Sequence, residues 1–273
     1  MLNQTKADKE ERGQEKMTKN VVIVTGASSG MGREFVHQLT DRAKNLDEIW
    51  LIARRLDRLE ELKEEINIPC IIIDEDITQP HFTDRFRTVL SQEKPRVKML
   101  INCAGYGIIG KACNKSAEVE TGMINTNCAG LTNVTLLTIP YMAKNSRIIN
   151  LASSSAFLPQ PDFAVYAATK SYVLSFSRAL NHELKPKNIS VTAVCPGPVN
   201  TEFFNIAADG EKRPWYKEYF MASAKDVVEL AIKDSKERKE VSVYGNSMKA
   251  VMILSKILPH KIILNVMDIL NKR

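Results

Sequence analysis

Several things are scarce in this sequence of 273 residues, and each scarcity narrows what the chain can be. Cysteine is limited to Cys70, Cys103, Cys113, Cys128 and Cys195, an odd number with no Cys-x-x-Cys pair. In a chain of this size that argues against a disulfide framework and for buried free thiols in a reducing compartment. The four histidines (His37, His81, His182, His260) are scattered and form no HExxH pair, so no metal centre is expected. No apolar run approaches the length needed to span a bilayer. The first twenty residues are polar and lack the apolar stretch of a secretory signal, so a polar extension over 1–19 on a soluble, cytoplasmic chain is expected. Charge of one sign is also lacking: 38 basic and 32 acidic residues are interleaved, as in KADKEERGQEK, for a net +6. A nucleic-acid binder clusters its basic residues on one element, so nucleic acid is not an expected partner. The mild positive balance is compatible with an anionic cofactor or substrate.

What is present alternates. VVIVTG, EIWLIA, CIIID, KMLINCAG, RIINLAS, ISVTAVCPG and EVSVYG read as seven short strands, apolar on both faces. Between them lie segments of helical period, among them GREFVHQLTDRA, LDRLEELKEEI, a long region around TNCAGLTNVTLLTIPYMA, and a helix from about Ala164 to Leu184. Strands separated by helices of this length make parallel βαβ units. The expected fold is α/β: one doubly wound Rossmann-type domain over 20–246, with a seven-stranded parallel sheet covered by helices on both faces. No repeat, low-complexity tract or linker interrupts it.

The stretch TGASSGMG, Thr25 to Gly32, follows the first strand and opens the first helix. Its glycines permit a tight turn and close approach to a pyrophosphate, and the helix N-terminus offers unpaired N–H groups. At the end of the second strand an NAD site places an acid for the ribose hydroxyl. Here LIARRLDR puts Arg54 and Arg55 at that place, and a guanidinium can grip a 2′-phosphate. NADP(H) is therefore the expected cofactor, with NAD(H) as the alternative. In VYAATKSY, Tyr166 precedes Lys170 by four residues, one helical turn, so both side chains share a face. By itself that is an ordinary surface pair.

Taken in order, TGASSGMG, NCAG at Asn102 to Gly105, Ser153, YAATK and PGPVNT from Pro196 resemble the short-chain dehydrogenase/reductase family. Ser153 lies thirteen residues before Tyr166, as in that family's pattern, and the resemblance covers roughly Asn20 to Thr201. It implies that Tyr166 is the general acid/base, that Ser153 holds the substrate oxygen, and that Lys170 binds the nicotinamide ribose and lowers the tyrosine pKa. It implies that Asn127 supports a proton relay, that Asp76 contacts adenine and that Thr201 meets the nicotinamide carboxamide. Gly26, Ser28, Ser29, Gly30, Met31, Gly32, Ile77, Asn102, Ala104, Gly105, Pro196, Gly197 and Val199 complete the implied cofactor residues, Asn102 serving equally well as a tie between central strands. The chemistry agrees: a free phenol titrates near about 10, and a nearby ammonium favours the phenolate.

Beyond Thr201 the reading rests on composition. Phe203, Phe204, Trp215, Tyr216, Tyr219 and Phe220 are six of the eighteen aromatics, within a segment of about 198–222 that reads as a substrate lid. A bulky apolar substrate is expected, a hydroxysteroid among the candidates, unless these rings simply pack the lid onto the body. The tail, 247–273, is two amphipathic stretches broken at Pro259, expected to pack against the domain or a second subunit, peripheral membrane contact being the less favoured alternative. The resemblance implies a homodimer or homotetramer. The leading function is an NADP(H)-dependent oxidoreductase interconverting a ketone and a secondary alcohol; the rivals are a catalytically silent NAD(P)-sensing protein and a membrane-surface lipid ketoreductase.

Overall fold

The computed structural model describes residues 18–42, 45–208 and 221–271, with side chains at all of these except 204, 208 and 266–271. The first part of the polar extension, and Phe204, Trp215, Tyr216, Tyr219 and Phe220 of the expected lid, therefore lie outside what is described here.

Seven strands form one sheet: β1 (Asn20–Thr25), β2 (Glu48–Ile52), β3 (Cys70–Ile73), β4 (Arg96–Asn102), β5 (Met142–Leu151), β6 (Ser190–Val194) and β7 (Val241–Ser242). Their order is β3-β2-β1-β4-β5-β6-β7 and every pairing is parallel. Successive side chains of a strand point to opposite faces, and β1 shows the consequence. Val22 and Val24 pack into one core with Phe35, Leu51 and Val228, while Val21 and Ile23 pack into the other with Trp50, Phe86 and Ile148. Both faces are buried, which is why the strands read as continuous apolar runs rather than alternating ones. Each such side chain removed from water contributes about 1.5–3 kcal/mol.

The helices are α1 (Gly30–Arg42), α2 (Leu56–Glu65), α3 (Pro80–Glu93), α4 (Ala117–Ile124), α5 (Leu131–Thr138), α6 (Ala164–Glu183), α7 (Phe203–Ala208), α8 (Ala224–Lys236), α9 (Asn246–Ile257) and α10 (His260–Asn271). The long helical region expected around TNCAGLTNVTLLTIPYMA is more varied than its period suggests. Asn125–Gly130 is a π turn joining α4 to α5, and Pro140, which has no N–H to donate, sits in a 3₁₀ turn that ends the helix. Strand β5 then begins at Met142, five residues before the apolar RIINL, because Met142 pairs with Val97 and the register shifts before Arg147 meets Met99. Asn145, at φ 67, takes up that irregularity.

Because β1 is flanked by β2 on one side and β4 on the other, the chain reverses its winding direction there. The loops leaving β1 and β4 diverge and leave a crevice beyond the carboxyl ends of the strands, where an open α/β sheet binds its ligands.

Candidate active site

The crevice is a cavity of about 960 Å³. One end is built by the β1–α1 loop. Gly26 has φ +67, and a Cβ there would lie 2.7 Å from the backbone nitrogen of Ala104; at Gly32 it would lie 2.1 Å from the carbonyl oxygen of Gly26. Only glycine allows the loop to fold this tightly against β4 and still open directly into α1. Ser28, Ser29, Gly30 and Met31 line the cavity at the helix N-terminus, where N–H groups and the helix dipole favour an anion. The residues present thus fit the pyrophosphate of a dinucleotide.

Beyond the loop, Asp76 accepts from the backbone N–H and the hydroxyl of Thr78 (2.9 and 2.8 Å), which fixes its carboxylate at the cavity edge. Arg54 reaches to 3.5 Å from that carboxylate while keeping 72% of its side chain exposed. The two arginines expected to act alike do not. Arg55 donates to Ser28 Oγ and forms an ion pair at 3.0 Å with Glu202, which also holds Arg58 at 3.1 Å. These two guanidiniums keep the Glu202 carboxyl below its ordinary pKa. Glu202 carried no sequence signal: its partners are far away in the chain and meet it only when the segment after β6 folds over the crevice.

Every cofactor residue read from the sequence lines the cavity except Asn102. The Asn102 side chain is 1% exposed and donates to Thr135 Oγ1 and Asn150 Oδ1, both at 2.9 Å, while Asn150 donates on to Ser177. This chain of amides ties β4 to β5 and to α5 and α6, so Asn102 serves the sheet rather than the cavity.

At the centre lie Ser153, Tyr166 and Lys170, all buried. Ser153 caps a short 3₁₀ turn after β5, its Oγ accepting from the N–H of Ser155 at 3.1 Å, and it hydrogen-bonds the phenol of Tyr166. The Tyr166 ring is stacked on Phe163 with centroids 4.2 Å apart and is tilted against Phe203 at 5.5 Å. Gly107 lies against the same ring: a Cβ there would stand 2.5 Å from Tyr166 Cδ2. Lys170 Nζ donates to the Leu151 carbonyl at 2.8 Å and sits 5.6 Å from the Tyr166 ring centroid. Asn127, in the π turn, is locked by bonds from Tyr106 N–H (3.0 Å) and to Tyr106 O and Thr169 Oγ1 (2.9 and 3.0 Å). It does not line the cavity. A Cβ on Gly105 would stand 2.8 Å from Asn127 Oδ1 and 3.4 Å from Lys170 Nζ, so both side chains lie close against that glycine.

The electrostatics depart from the expectation in one respect. Burial pushes the Tyr166 phenol well above its ordinary pKa, and the Ser153 hydrogen bond opposes that only in part. Lys170 does not reverse it: removed from water itself, its ammonium is brought down to about 8. Desolvation disfavours both charged forms and outweighs the attraction that the four-residue spacing implies. The surrounding thiols, Cys103 and Cys195, are pushed up to about 12 by burial and stay neutral.

The opposite end of the cavity is apolar. Ile108, Phe163 and Phe203 face Met248, Leu254 and Ile262 from α9 and α10. Among the described residues, the charged side chains that line the cavity are Arg54, Arg55, Glu75, Asp76, Lys170 and Glu202, none of them from α9 or α10. The sequence marked the tail as amphipathic, but nothing in its period said that it would wall this site.

Comparison with known proteins gives this arrangement its family. A family model described as short chain dehydrogenase matches residues 20–212. The chain belongs to the short-chain dehydrogenase family. As a member it is an NAD(P)-dependent oxidoreductase of alcohols and ketones. It is 32% identical over 200 residues to an uncharacterized oxidoreductase of Staphylococcus epidermidis, covering 72% of this chain and 86% of that one. It is 33% identical over 197 residues to a sulfoacetaldehyde reductase of Chromohalobacter salexigens, covering 70% and 77%. Among solved structures it resembles a short-chain dehydrogenase from Sphingobium yanoikuyae in complex with NADPH, with a TM-score of 0.73, 26% identity, and coverage of 87% of this dehydrogenase and 93% of that chain.

Proposed function

We propose that this dehydrogenase interconverts a ketone and a secondary alcohol on a bulky, uncharged, apolar substrate, with NADP(H) as the preferred cofactor and a hydroxysteroid as one candidate substrate. The observation that carries the reading is the position of the buried Ser153–Tyr166–Lys170 cluster, between an anion-binding loop on one side and an apolar chamber on the other.

The nicotinamide, when bound, supplies or accepts the hydride. The protein's part is the proton. Tyr166, held neutral by burial, is a proton donor at its phenolic oxygen, and Ser153 is placed to hydrogen-bond both that oxygen and a substrate oxygen beside it. Donation leaves a phenolate, which Ser153 stabilises and which the Lys170 ammonium favours by charge. With its pKa brought to about 8, Lys170 can itself exchange a proton at Nζ near neutrality. Asn127 and Lys170 both lie against Gly105, and Asn127 holds the Tyr106 backbone in place, which supports a proton path leading away from the cluster.

Cofactor choice rests on Arg54. Its exposed guanidinium stands beside Asp76 at the adenine end, where a 2′-phosphate would displace the weak 3.5 Å pairing and gain a bidentate partner. The apolar lining of the far chamber among the described residues supports a neutral substrate; an anionic one, like that named for the sulfoacetaldehyde reductase, would find no cation among them there.

The test is turnover of a panel of steroid, aromatic and aliphatic ketones with NADPH and NADH in parallel. Tyr166→Phe is expected to lower turnover by about 10²–10⁴-fold while NADPH still binds. Arg54→Ala is expected to weaken NADPH and leave NADH unchanged. Turnover surviving in Tyr166→Phe would end the catalytic assignment, and equal NADPH affinity in Arg54→Ala would end the cofactor assignment.

A further inference from the structure

We propose that the α9–α10 helix pair docks this dehydrogenase on an anionic lipid bilayer, with the mouth of the apolar chamber opening onto the membrane. Ile253, Leu254, Ile257, Leu258 and Ile262 are 54%, 50%, 71%, 37% and 49% exposed. They are five of the eleven large hydrophobic side chains left exposed among the described residues. Of the others, Leu56 is on α2, Val119 and Ile124 on α4, Leu136 on α5 and Tyr172 on α6, and Ile206 on α7 is 53% exposed and lines the same cavity. Soluble proteins seldom gather such side chains in one patch without a partner to cover them.

Three features select the partner. The first is continuity. Leu254, Leu258, Ile262 and Ile206 are both exposed and part of the cavity wall, next to the exposed Ile253 and Ile257. An apolar molecule could pass from a surface lying on the patch into the chamber without crossing water. The second is helix geometry. Met248 and Met252 turn inward onto the core. Ile253 and Ile257, one turn apart, stand on the opposite face. Lys249 and Lys256 lie along one flank of that face, and Leu254 and Leu258, which wall the cavity, along the other.

The third feature is charge. Residues 246–265 contain Lys249, Lys256 and Lys261, all exposed, and no aspartate or glutamate. An apolar face flanked by lysines suits the interface of a bilayer with anionic headgroups. The same arrangement argues against a second copy of the chain. A two-fold contact would set this lysine-bearing surface against itself, at an electrostatic cost in a chain already at +6. No helix among the described residues is long and apolar enough to cross a membrane, so the pair lies on the surface. That the bilayer then delivers a lipid-dissolved ketone or alcohol rests on the function proposed above; the docking itself does not.

The test is flotation of the full-length protein with vesicles of phosphatidylcholine containing phosphatidylglycerol, and with phosphatidylcholine alone. The wild type should float with the anionic vesicles, less with the neutral ones, and less as salt rises. Ile253→Glu with Ile257→Glu, neither residue lining the cavity, should abolish flotation and leave the turnover of soluble cyclohexanone unchanged. The same variant should lose turnover of a long-chain methyl ketone dissolved in the vesicles. Lys249→Gln, Lys256→Gln and Lys261→Gln together should lower partitioning about fivefold per lysine. Flotation with no turnover of either ketone would uphold the docking and overturn the catalytic reading instead. A wild type that does not float, or a double-Glu variant that floats equally well, would overturn the docking. So would loss of a dimer in the double-Glu variant with no vesicle binding by the wild type, which would give the patch to a second copy.

Discussion

Gly107 offers a test of how closely the phenol must be held. Its backbone is not in the left-handed region, so alanine adds no torsional strain, only a methyl group. That methyl would sit 2.5 Å from Tyr166 Cδ2 and 2.9 Å from both Tyr166 Cγ and Phe163 Cζ. Non-bonded carbons are comfortable at about 3.5–4.0 Å, so the Tyr166 ring must retreat by roughly 1 Å. The ring cannot turn away freely, because Phe163 is stacked on it and Phe203 closes another side. A misplacement of about 1 Å costs on the order of 10²-fold in rate, or about 2.7 kcal/mol of transition-state stabilisation. Overpacking also costs about 1–3 kcal/mol of stability, which a folded domain of this size tolerates. Gly107→Ala should therefore melt earlier yet remain folded, bind NADPH within about threefold of the wild type by nicotinamide fluorescence, and lose about a hundredfold in kcat. A folded Gly107→Ala that turns over within about threefold of the wild type would refute the idea that this glycine sets the position of the phenol.

Other outcomes follow from the same geometry. Ser153→Ala removes a hydrogen bond that lowers the Tyr166 pKa, so kcat/KM should fall about 10²–10³-fold and the alkaline limb of its pH profile should move to higher pH. Lys170 titrates at about 8 when folded and at 10.5 when exposed, so between those values the unfolded chain binds the extra proton and stability rises with pH. Tyr166 and the thiols run the other way above their ordinary pKa values, so the effect is read as the difference between wild type and Lys170→Met. In denaturant titrations the wild type should gain up to roughly 3 kcal/mol on the variant as pH rises from 8 towards 10.5; parallel curves would contradict it. Glu202→Gln loosens Arg55 and Arg58 from their shared carboxylate, and should lower the KM for NADPH about two- to fivefold with little change for NADH. Gly32→Ala puts a methyl into the Gly26 carbonyl and should abolish cofactor binding of either kind in calorimetry.

Much of this was legible in the linear sequence, for identifiable reasons. Strands buried on both faces are written as unbroken apolar runs, so all seven could be found. The β1–α1 loop needs glycine where a Cβ would strike backbone, and Tyr166 and Lys170 share a helix, so these signals are local. What escaped was set by distance along the chain. Glu202 acts through arginines on another element, Asn102 was drawn away from the cavity by partners on β5 and α5, and α9 and α10 complete a chamber whose other walls lie far upstream. The direction of the Tyr166 shift escaped for another reason: spacing shows that a lysine is near, but not that both groups are dry. The start of β5 escaped because a bulge at Asn145 breaks the period that would have announced it.

The position of β1 in the sheet has a consequence for how the molecule is made. Asn20 through Thr25 form an interior strand whose neighbour on one side, β2, follows closely, while the other, β4, does not begin until Arg96. A chain emerging from the ribosome can pair β1, β2 and β3 early, but it then carries β1 as a bare apolar edge until β4 is complete. Ser153, Tyr166 and Lys170 arrive later still, after β5. The cofactor loop is therefore assembled before anything can react over it. Early ligand capture by a partly made chain would stabilise the exposed edge, and recovery of turnover on refolding would report the closing of the β1–β4 seam rather than the collapse that precedes it.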